Sequence, residues 1–201
     1  MQKANLNQAR STATREKLIQ AGRRLFALKG FTGVSAEELV QSAGMTRGAL
    51  YHHFGGKPEL FAEVYEAMQQ DLSVFLEEKS RLCHDPWEEL LAGIAAFLDA
   101  CEDPGIQRVF FVDGPAVLGW DRCREADSRH TVALLKRGVE DAMRNKLMQG
   151  QPVEPLAHLL AGALREAGMW IAASPNPSRA RQEASQAVAR MLEGLRGAYK
   201  P

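Results

Sequence analysis

Side chains able to bind nucleic acid lie close together in one short stretch of this 201-residue chain, residues 46–54. Arg47 can donate hydrogen bonds to guanine edges or to phosphate oxygens. Tyr51, His52 and His53 can donate to phosphates or to the edges of bases. The residue types of this stretch therefore predict a surface that recognises DNA by hydrogen bonding.

The other residues of the stretch suit a helix that lies in a groove. Leu50 and Phe54 are spaced i and i+4, and they alone form a plausible core stripe. Gly48 and Ala49 keep the helix slim, so that its backbone can approach the floor of a groove. An ordinary helical hairpin with a solvated polar face is the alternative that the pattern leaves open.

Two short helices with separate start signals must position these side chains. Ser35 and Glu38 have the spacing of a capping box, in which each side chain accepts from a backbone N–H group. Gly44 stands where a left-handed residue closes the first helix, and Thr46 is the expected N-cap of the second. Two such helices form a helix-turn-helix, whose second helix enters the major groove. Lys57 adds a cation at the start of the next helix, where free N–H groups favour phosphate.

The distribution of charge supports DNA binding, although the formal net charge is zero. Residues 1–60 carry nine Lys and Arg against four Asp and Glu, whereas residues 61–201 carry 16 against 21. A basic N-terminal third on an acidic remainder suits a DNA-binding head on a body that phosphate repels. Residues 1–12 are polar and are expected to form a flexible arm, in which Lys3 or Arg10 can reach a minor groove.

Patterns typical of enzymes and metal sites are missing from the sequence. Cys83 and His84 are adjacent and project about 100° apart on a helix, and no glycine-rich nucleophile turn surrounds a Ser or Cys. His52 and His53 lack the i, i+4 spacing of a metal-binding pair. We therefore expect no catalytic residues, no metal and no cofactor.

Cysteine usage and hydropathy indicate the cellular compartment. Three cysteines, an odd number without close pairing, favour reduced thiols over a disulfide framework. No apolar run has the length of a signal peptide core or of a membrane span. The expected location is the cytoplasm.

The helix-turn-helix resembles the DNA-binding domain of TetR-type transcriptional repressors. The match runs without a gap through Ala43-Gly44-Met45-Thr46-Arg47-Gly48-Ala49-Leu50-Tyr51-His52-His53-Phe54 and continues through Lys57-Pro58-Glu59-Leu60-Phe61. The resemblance implies an all-α protein with a three-helix DNA-binding domain at residues 13–57. Residues 58–201 would then form a helical ligand-binding and dimerisation domain.

The resemblance also implies which residues touch DNA. The positions that match DNA-contacting residues of the family are Ser35, Ala36, Thr46, Arg47, Gly48, Ala49, Tyr51, His52, His53 and Lys57. Ala36 lacks the hydroxyl that is frequent at its position, so one phosphate contact loses its donor. Ala49 offers DNA only a methyl group. Arg47 and His52 are therefore the main candidates for sequence discrimination.

Beyond the head, apolar residues at helical spacing predict helices throughout and no strands. The first helix of the head is expected over about residues 14–29, and a long helix is expected from Pro58. Asp85 is the expected N-cap of the next helix. A short helix is predicted near residues 106–112, and a longer one over about residues 118–148.

The middle helices are expected to enclose a ligand cavity, because all-helical cores often leave an apolar pocket. Candidate wall residues are Trp87, Phe97, Phe110, Phe111, Trp120, His130 and Met169. Each aromatic residue among them can equally belong to the core. His130 and Asp127 can either anchor a ligand or lie on an exposed charged face. The ligand itself is not identified by the sequence.

The last two helices are predicted to form a dimer interface with a second copy. The expected interface residues are Leu156, Leu160, Ala163, Leu164, Ala167, Trp170, Ile171, Ala184, Val188, Met191, Leu192 and Leu195. Both apolar stripes can instead face the core of their own chain. The resemblance implies a four-helix bundle between subunits. A two-fold dimer places two recognition helices about 34 Å apart, on successive major grooves of a palindrome.

These features predict a homodimeric TetR-like transcriptional regulator, a repressor that a small-molecule ligand releases from a palindromic operator. An architectural DNA-binding protein without a ligand is the alternative. The helix that starts near Pro58 is expected to carry the change, because it joins the head to the remainder.

Overall fold

A computed structural model describes residues 2–196 of the chain, and side chains from residue 8 onward. The described residues form helices joined by turns and contain no strand, which confirms the predicted all-α fold. The elements are α1 Gln2–Lys29, α2 Ala36–Ala43, α3 Arg47–Phe54, α4 Lys57–Ser80, α5 Pro86–Ala100, α6 Pro104–Ile106, a π-helix Gln107–Asp113, α7 Gly114–Leu118, α8 Trp120–Arg129, α9 Thr131–Arg144, α10 Val153–Ala173 and α11 Pro177–Glu193.

The caps and the turn predicted for the helix-turn-helix are confirmed. Ser35 Oγ accepts from the backbone N–H of Glu38 at 3.1 Å, and Thr46 Oγ1 accepts from that of Ala49 at 3.2 Å. Gly44 closes α2 with a φ of 65°, a conformation that glycine adopts without strain. The carboxylate of Glu38 pairs with α1 instead of completing the capping box.

Helix α1 begins at Gln2, and not near Thr14 as the apolar spacing predicts. Residues 2–12 are therefore helical, and the flexibility expected of this arm stays a prediction. These residues contain no proline or glycine, and most of them have good helix propensity, so that the sequence can extend α1 toward its start. Met1 and the side chain of Lys3 lie outside the described part of the chain, and the proposed minor-groove contact of Arg10 stays a prediction.

Helix α4 connects the head to the rest of the protein through one continuous core. The first hydrophobic cluster contains Leu18 and Phe26 of α1, and it extends to Val109 in the π-helix. On α4 the polar Gln69 is buried, whereas the apolar Phe75 is 37% exposed. The hydrophobic core is therefore continuous from α1 through α4 to the π-helix. We expect a shift of α4 to change the packing of the head.

The long helix predicted over residues 118–148 is divided into α8 and α9. The break lies at His130, whose φ of −116° and ψ of −90° are not helical. Glu66 of α4 holds this junction, since its Oε1 lies 2.7 Å from His130 Nε2 and its Oε2 lies 2.8 Å from Arg129 Nη2. No glycine or proline marks the break, so that its cause is tertiary.

A second hydrophobic cluster holds α5, α9, α10 and α11 together. Asp85 caps α5 as predicted, by accepting from the N–H groups of Trp87 and Glu88. Among the described residues, no helix combines the length and the apolar composition required to cross a bilayer.

Candidate DNA interface and interior cavity

The ten predicted DNA-contacting residues occupy helix starts of the head and the positions of α3 outside its core stripe. Ser35 and Ala36 stand at the start of α2, Thr46 caps α3, Lys57 begins α4, and the remaining six, Arg47, Gly48, Ala49, Tyr51, His52 and His53, follow along α3. Leu50 and Phe54 face the core, as predicted. Contact of the polar residues with DNA stays a prediction.

Arg47 forms an ion pair that the sequence interpretation missed. Its Nη1 donates to Glu37 Oε1 at 2.8 Å, and its guanidinium lies 5.6 Å from the centre of the Tyr51 ring. The two side chains of the ion pair are 63% and 68% exposed. Because exposed pairs contribute at most about 1 kcal/mol, Arg47 can exchange Glu37 for DNA at small cost.

Gly48 is a glycine that the folded chain itself does not need. A Cβ built on it meets, among the described atoms, only Thr46 Oγ1 at 3.8 Å, which is an ordinary contact. Its φ is not positive, in contrast to that of Gly44. A helix interior disfavours glycine, so that a requirement for this residue would come from a molecule bound against α3.

Replacing Gly48 with alanine is expected to raise the free energy of unfolding by up to about 1 kcal/mol, because alanine favours the helix. The same change should weaken DNA binding by about tenfold, since the methyl group obstructs close approach, and tenfold corresponds to about 1.4 kcal/mol. Urea unfolding and fluorescence anisotropy with labelled DNA measure the two effects. Gly150→Ala is the control for DNA affinity, because the residue lies outside the head and a Cβ there meets no described atom within 4 Å. Unchanged DNA affinity in Gly48→Ala would contradict the prediction.

Lys57 has a structural role that was not foreseen from the sequence. Its Nζ donates to the carbonyl oxygens of Phe31 at 2.9 Å and Val34 at 2.8 Å, and it lies 4.0 Å from the centre of the Phe31 ring. The ammonium group thus closes the turn between α1 and α2. An ammonium has three N–H donors, so that one remains for the predicted phosphate contact.

A cavity of about 260 Å³, partly open to solvent, lies among α4, α5, the π-helix, α8, α9 and α10. The predicted residues Phe97, Phe110 and Phe111 line it, and their contact with a ligand stays a prediction. Residue 168 limits the position of one wall, because a Cβ on Gly168 would lie 2.6 Å from Phe111 Cζ. The cavity is therefore bounded on this side by direct contact of an aromatic ring with the backbone of α10.

Four residues predicted as cavity walls lie elsewhere. Trp87 is 2% exposed and packs in the second hydrophobic cluster, whereas Trp120 is 50% exposed. His130 is directed to Glu66 of α4. Met169 follows Gly168 by one residue, and one residue turns a helix by about 100°, which removes Met169 from the cavity-facing side of α10. The sequence placed these four residues on or beside the middle helices, but it did not show which side of each helix faces the cavity.

A buried polar cluster closes one end of the cavity. Gln69 Nε2 donates to Asp127 Oδ1 at 2.6 Å, and Tyr65 Oη donates to the same oxygen at 3.4 Å. Asp127 Oδ2 accepts from the guanidinium of Arg165. Burial raises the pKa of Asp127, an effect that Arg165 opposes. Asp127 was considered from the sequence as an anchor, whereas the other three were missed.

Gln69 left a signal in the sequence that could have identified it. It follows Tyr65 by four residues and precedes Leu72 by three, so that a polar side chain interrupts the apolar face of α4. A polar residue in such a position requires buried partners, because burying an amide without hydrogen bonds is costly. Asp127 and Arg165 have no comparable local signal.

The π-helix connects the cavity with the DNA-binding head. Its Phe110 and Phe111 line the cavity, whereas Arg108 donates to the carbonyl oxygens of Ala27, at 3.3 Å, and Leu28 at the end of α1. Its last residue, Asp113, accepts from the backbone N–H of Phe31 at 2.7 Å. One short element thus contacts both regions. These head contacts were not foreseen from the sequence.

Seven of the predicted interface residues are buried in the core of their own chain, and the dimer interface itself stays a prediction. The buried residues are Leu156, Leu160, Leu164, Ile171, Ala184, Val188 and Leu192. The stripes of α10 and α11 are broad, and their inner halves pack on α5 and α9. Ala163, Ala167 and Leu195 are partly buried, and Trp170 and Met191 are exposed. Leu159, which was not predicted, is 73% exposed beside them on α10.

The cysteines and the other candidate metal ligands stand apart. In residues 2–196, no group of three or more His, Cys, Asp or Glu is arranged to hold a metal ion. Cys83, Cys101 and Cys123 are unpaired. Burial raises the pKa of the Cys101 thiol to about 12. This thiol is therefore protonated and unreactive at neutral pH.

Two family models match most of the chain. Residues 18–64 match the model described as "Bacterial regulatory proteins, tetR family". Residues 87–195 match the model described as "Tetracyclin repressor-like, C-terminal domain". The second match covers more than half of the chain, and together the two matches include the helix-turn-helix and most of the residues that line the cavity.

Solved structures and a curated relative agree with these matches. A TetR-family transcriptional regulator from Pectobacterium atrosepticum is 32% identical, covers 96% of this chain and 98% of its own, and superposes with a TM-score of 0.83. RolR in complex with resorcinol is 18% identical over 96% of both chains, with a TM-score of 0.74, and shows similarity of fold alone. The TetC protein of transposon Tn10 from Escherichia coli is 24% identical over 162 residues, 81% of this chain and 82% of its own.

Proposed function

The chain belongs to the TetR family of bacterial regulatory proteins, which are transcription regulators and not enzymes, and we propose that it is a repressor that a small molecule releases from a palindromic operator. The observation that carries the proposal is the π-helix, which contacts the cavity with one set of side chains and the head with another. The proposal includes a homodimer and a cytoplasmic location.

The head supports the DNA-binding part of the proposal. α3 exposes Arg47, Tyr51 and His52, and its start at Gly48 is slim enough for close approach to a groove. Arg47 can exchange an exposed carboxylate for a guanine edge or a phosphate. Such a helix specifies bases with few side chains, so that operator choice also depends on the spacing between two heads.

The cavity supports regulation by a small molecule. A partly open volume of about 260 Å³, bordered mostly by apolar surface and closed at one end by the polar cluster of Gln69, Asp127 and Arg165, is suited to a compact organic ligand. RolR, a protein of the same fold, has been crystallised with resorcinol. A ligand here would act by binding one conformation more tightly than the other, typically with about 1–3 kcal/mol of coupling.

The exposed side of α10 supports a dimer through contacts fewer than those first predicted. Leu159 and Trp170 lie 11 residues, about three turns, apart on this helix, and both are solvent-exposed apolar residues. Gly162 stands between them, and a Cβ there meets no described atom within 4 Å, so that a second helix can approach closely. A two-fold axis at this surface would bring α10 and its copy together.

Selection of DNA fragments from the source genome tests the proposal. We expect recovery of a palindrome whose half-sites are centred about 34 Å apart, one turn of DNA, or a multiple of this spacing. Footprinting of the recovered fragment should show protection of both half-sites by a dimer. Recovery of random fragments with equal affinity would instead favour an architectural DNA-binding protein.

Replacing Asp113 with alanine is expected to speed hydrogen exchange at the Phe31 amide by about tenfold or more. The carboxylate is the acceptor of this N–H group, and hydrogen bonds to charged groups contribute about 1.5–3 kcal/mol. Exchange followed by NMR on the free protein measures the effect without an effector. Asp121→Ala, at an exposed position in the first turn of α8, is the control. An unchanged rate at Phe31 would show that the π-helix does not hold the head.

A further inference from the structure

The polar end of the cavity contains an acceptor without a donor. Gln69 is 4% exposed and lines the cavity, and its Oε1 is buried with no hydrogen-bond partner in the part of the chain that the structure describes. The orientation of the amide is determined by Asp127, because Oε1 in place of Nε2 would face a carboxylate oxygen at 2.6 Å. Because Oε1 has almost no accessible surface, a hydrogen-bond donor on a ligand would reach it by displacing the side chains that cover it, and the gain is a partner for a buried carbonyl oxygen.

The charges next to Gln69 favour a neutral donor at this end of the cavity. Five further charged residues line the cavity, Glu77, Arg81, Glu89, Arg137 and Asp141, and Glu77 stands eight residues, about 12 Å, along α4 from Gln69. The carboxylate of Asp127 is paired with the Arg165 guanidinium, and Arg165 also lies 5.4 Å from the centre of the Trp120 ring. An ammonium ligand would add an unbalanced positive charge beside this neutral pair, and a carboxylate would face Gln69 Oε1 and Asp127. Burying an unpaired charge is costly, whereas a hydroxyl group or neutral N–H needs no counter-ion.

The walls determine the size and the shape of the ligand body. A cavity of 150 Å³ holds one benzene molecule, so that about 260 Å³ holds one or two rings. Phe97, Phe110 and Phe111 present aromatic surface to this volume. Flat aromatic molecules pack favourably against such rings, face to edge or offset.

We propose that the effector is a neutral one- or two-ring aromatic compound that donates a hydrogen bond from a hydroxyl group to Gln69 Oε1. This ligand class rests on the proposed function, since it assigns the molecule that the cavity would bind as a regulator. The hydroxyl hydrogen satisfies Gln69, its oxygen can accept from the polar cluster, and the rings fill the apolar volume.

Titration calorimetry with four probes of equal body and different head group tests the ligand class. The probes are 2-naphthol, naphthalene, 2-naphthoate and 2-naphthylmethylammonium. We expect 2-naphthol to bind at least about fivefold more tightly than naphthalene, the ratio that corresponds to one neutral hydrogen bond. The two charged probes should bind more weakly than 2-naphthol.

Gln69→Leu should abolish the preference for 2-naphthol over naphthalene, because leucine keeps the approximate volume without the acceptor. Gln70→Leu, at the exposed neighbouring position, should retain the preference. Circular dichroism confirms that each variant is folded. The comparison between probes on the unchanged protein remains decisive if Gln69→Leu does not fold.

Equal binding of 2-naphthol and naphthalene, tighter binding of a charged probe, or no binding of any probe at millimolar concentration would overturn the inference. Displacement of labelled operator DNA is measured in parallel with the same probes. Preferred binding of 2-naphthol without release of DNA would support the ligand class and count against ligand-controlled repression. Release of DNA by a charged probe would support ligand-controlled repression and count against the proposed ligand class.

Discussion

Replacing Arg165 with methionine is expected to lower the free energy of unfolding by about 3–5 kcal/mol at neutral pH. Methionine keeps much of the apolar stem but removes the cation that pairs with the buried carboxylate of Asp127. Gln69 and Tyr65 are then the remaining hydrogen-bond donors to that carboxylate among the described residues. Urea unfolding followed by circular dichroism at pH 7.5 measures the loss.

The loss in Arg165→Met should decrease as the pH is lowered. Burial already raises the pKa of Asp127 in the folded protein, and removal of Arg165 raises it further. A carboxyl whose pKa is raised by folding binds its proton more tightly in the native state, so that stability falls as pH rises through the folded pKa. The deficit is therefore greatest above the folded pKa of the variant and shrinks below it.

A control variant separates this effect from the general loss of an arginine. Arg179 forms an exposed i, i+4 pair with Glu183 on α11, so Arg179→Met should change stability by less than about 0.5 kcal/mol. A loss in Arg165→Met that is smaller than about 1 kcal/mol, or that is the same at every pH, would show that Asp127 does not depend on this cation.

Arg47→Ala is expected to weaken operator binding by about 1–3 kcal/mol and to leave binding to random DNA nearly unchanged. Arginine discriminates guanine through two hydrogen bonds to its major-groove edge, and alanine can make neither. Fluorescence anisotropy with the selected operator and with a scrambled duplex at one salt concentration measures both affinities. Equal weakening on the two duplexes would assign Arg47 to phosphate contact alone.

Glu37→Gln is the companion variant for this experiment. Glu37 pairs with Arg47 in the free protein and places a negative charge on the surface that faces DNA. Its neutralisation should strengthen binding to both duplexes, because Arg47 no longer exchanges partners and phosphate is less repelled. Weaker binding by Glu37→Gln would mean that the carboxylate itself contacts DNA or orients Arg47 for its contact.

The head could be predicted from the sequence because its signals are local. A cap bonds to a residue three positions away, and a left-handed glycine closes the helix that it follows, so that Ser35, Gly44 and Thr46 carry their own evidence. The side chains of α3 that remain solvent-exposed were those left outside the core stripe. Lys57 shows the limit of this reasoning, since its two carbonyl partners lie 26 and 23 residues away.

The regulatory part was less predictable because its structure depends on tertiary contacts. Asp127 lies 58 residues from Gln69 and 38 from Arg165, and no spacing rule joins residues at such distances. The break at His130 coincides with a contact to Glu66 of α4, and the helix propensities of the local residues do not predict it. Apolar stripes on α10 and α11 indicate burial without indicating whether the covering surface belongs to the same chain or to another.

The contact between Phe111 and Gly168 has a consequence for how the specificity of this protein can diverge. A side chain at position 168 cannot be added without displacing the Phe111 ring, because a single Cβ would already lie 2.6 Å from it. Gly168, which lies behind the Phe111 ring, therefore helps to limit the size of the molecule that the cavity can accept. For a ligand-released repressor as proposed, substitution there would narrow the range of inducing compounds, while the polar end and the predicted DNA-contacting surface keep their composition. A descendant or designed sensor could therefore change its chemical input at one codon and retain its target genes.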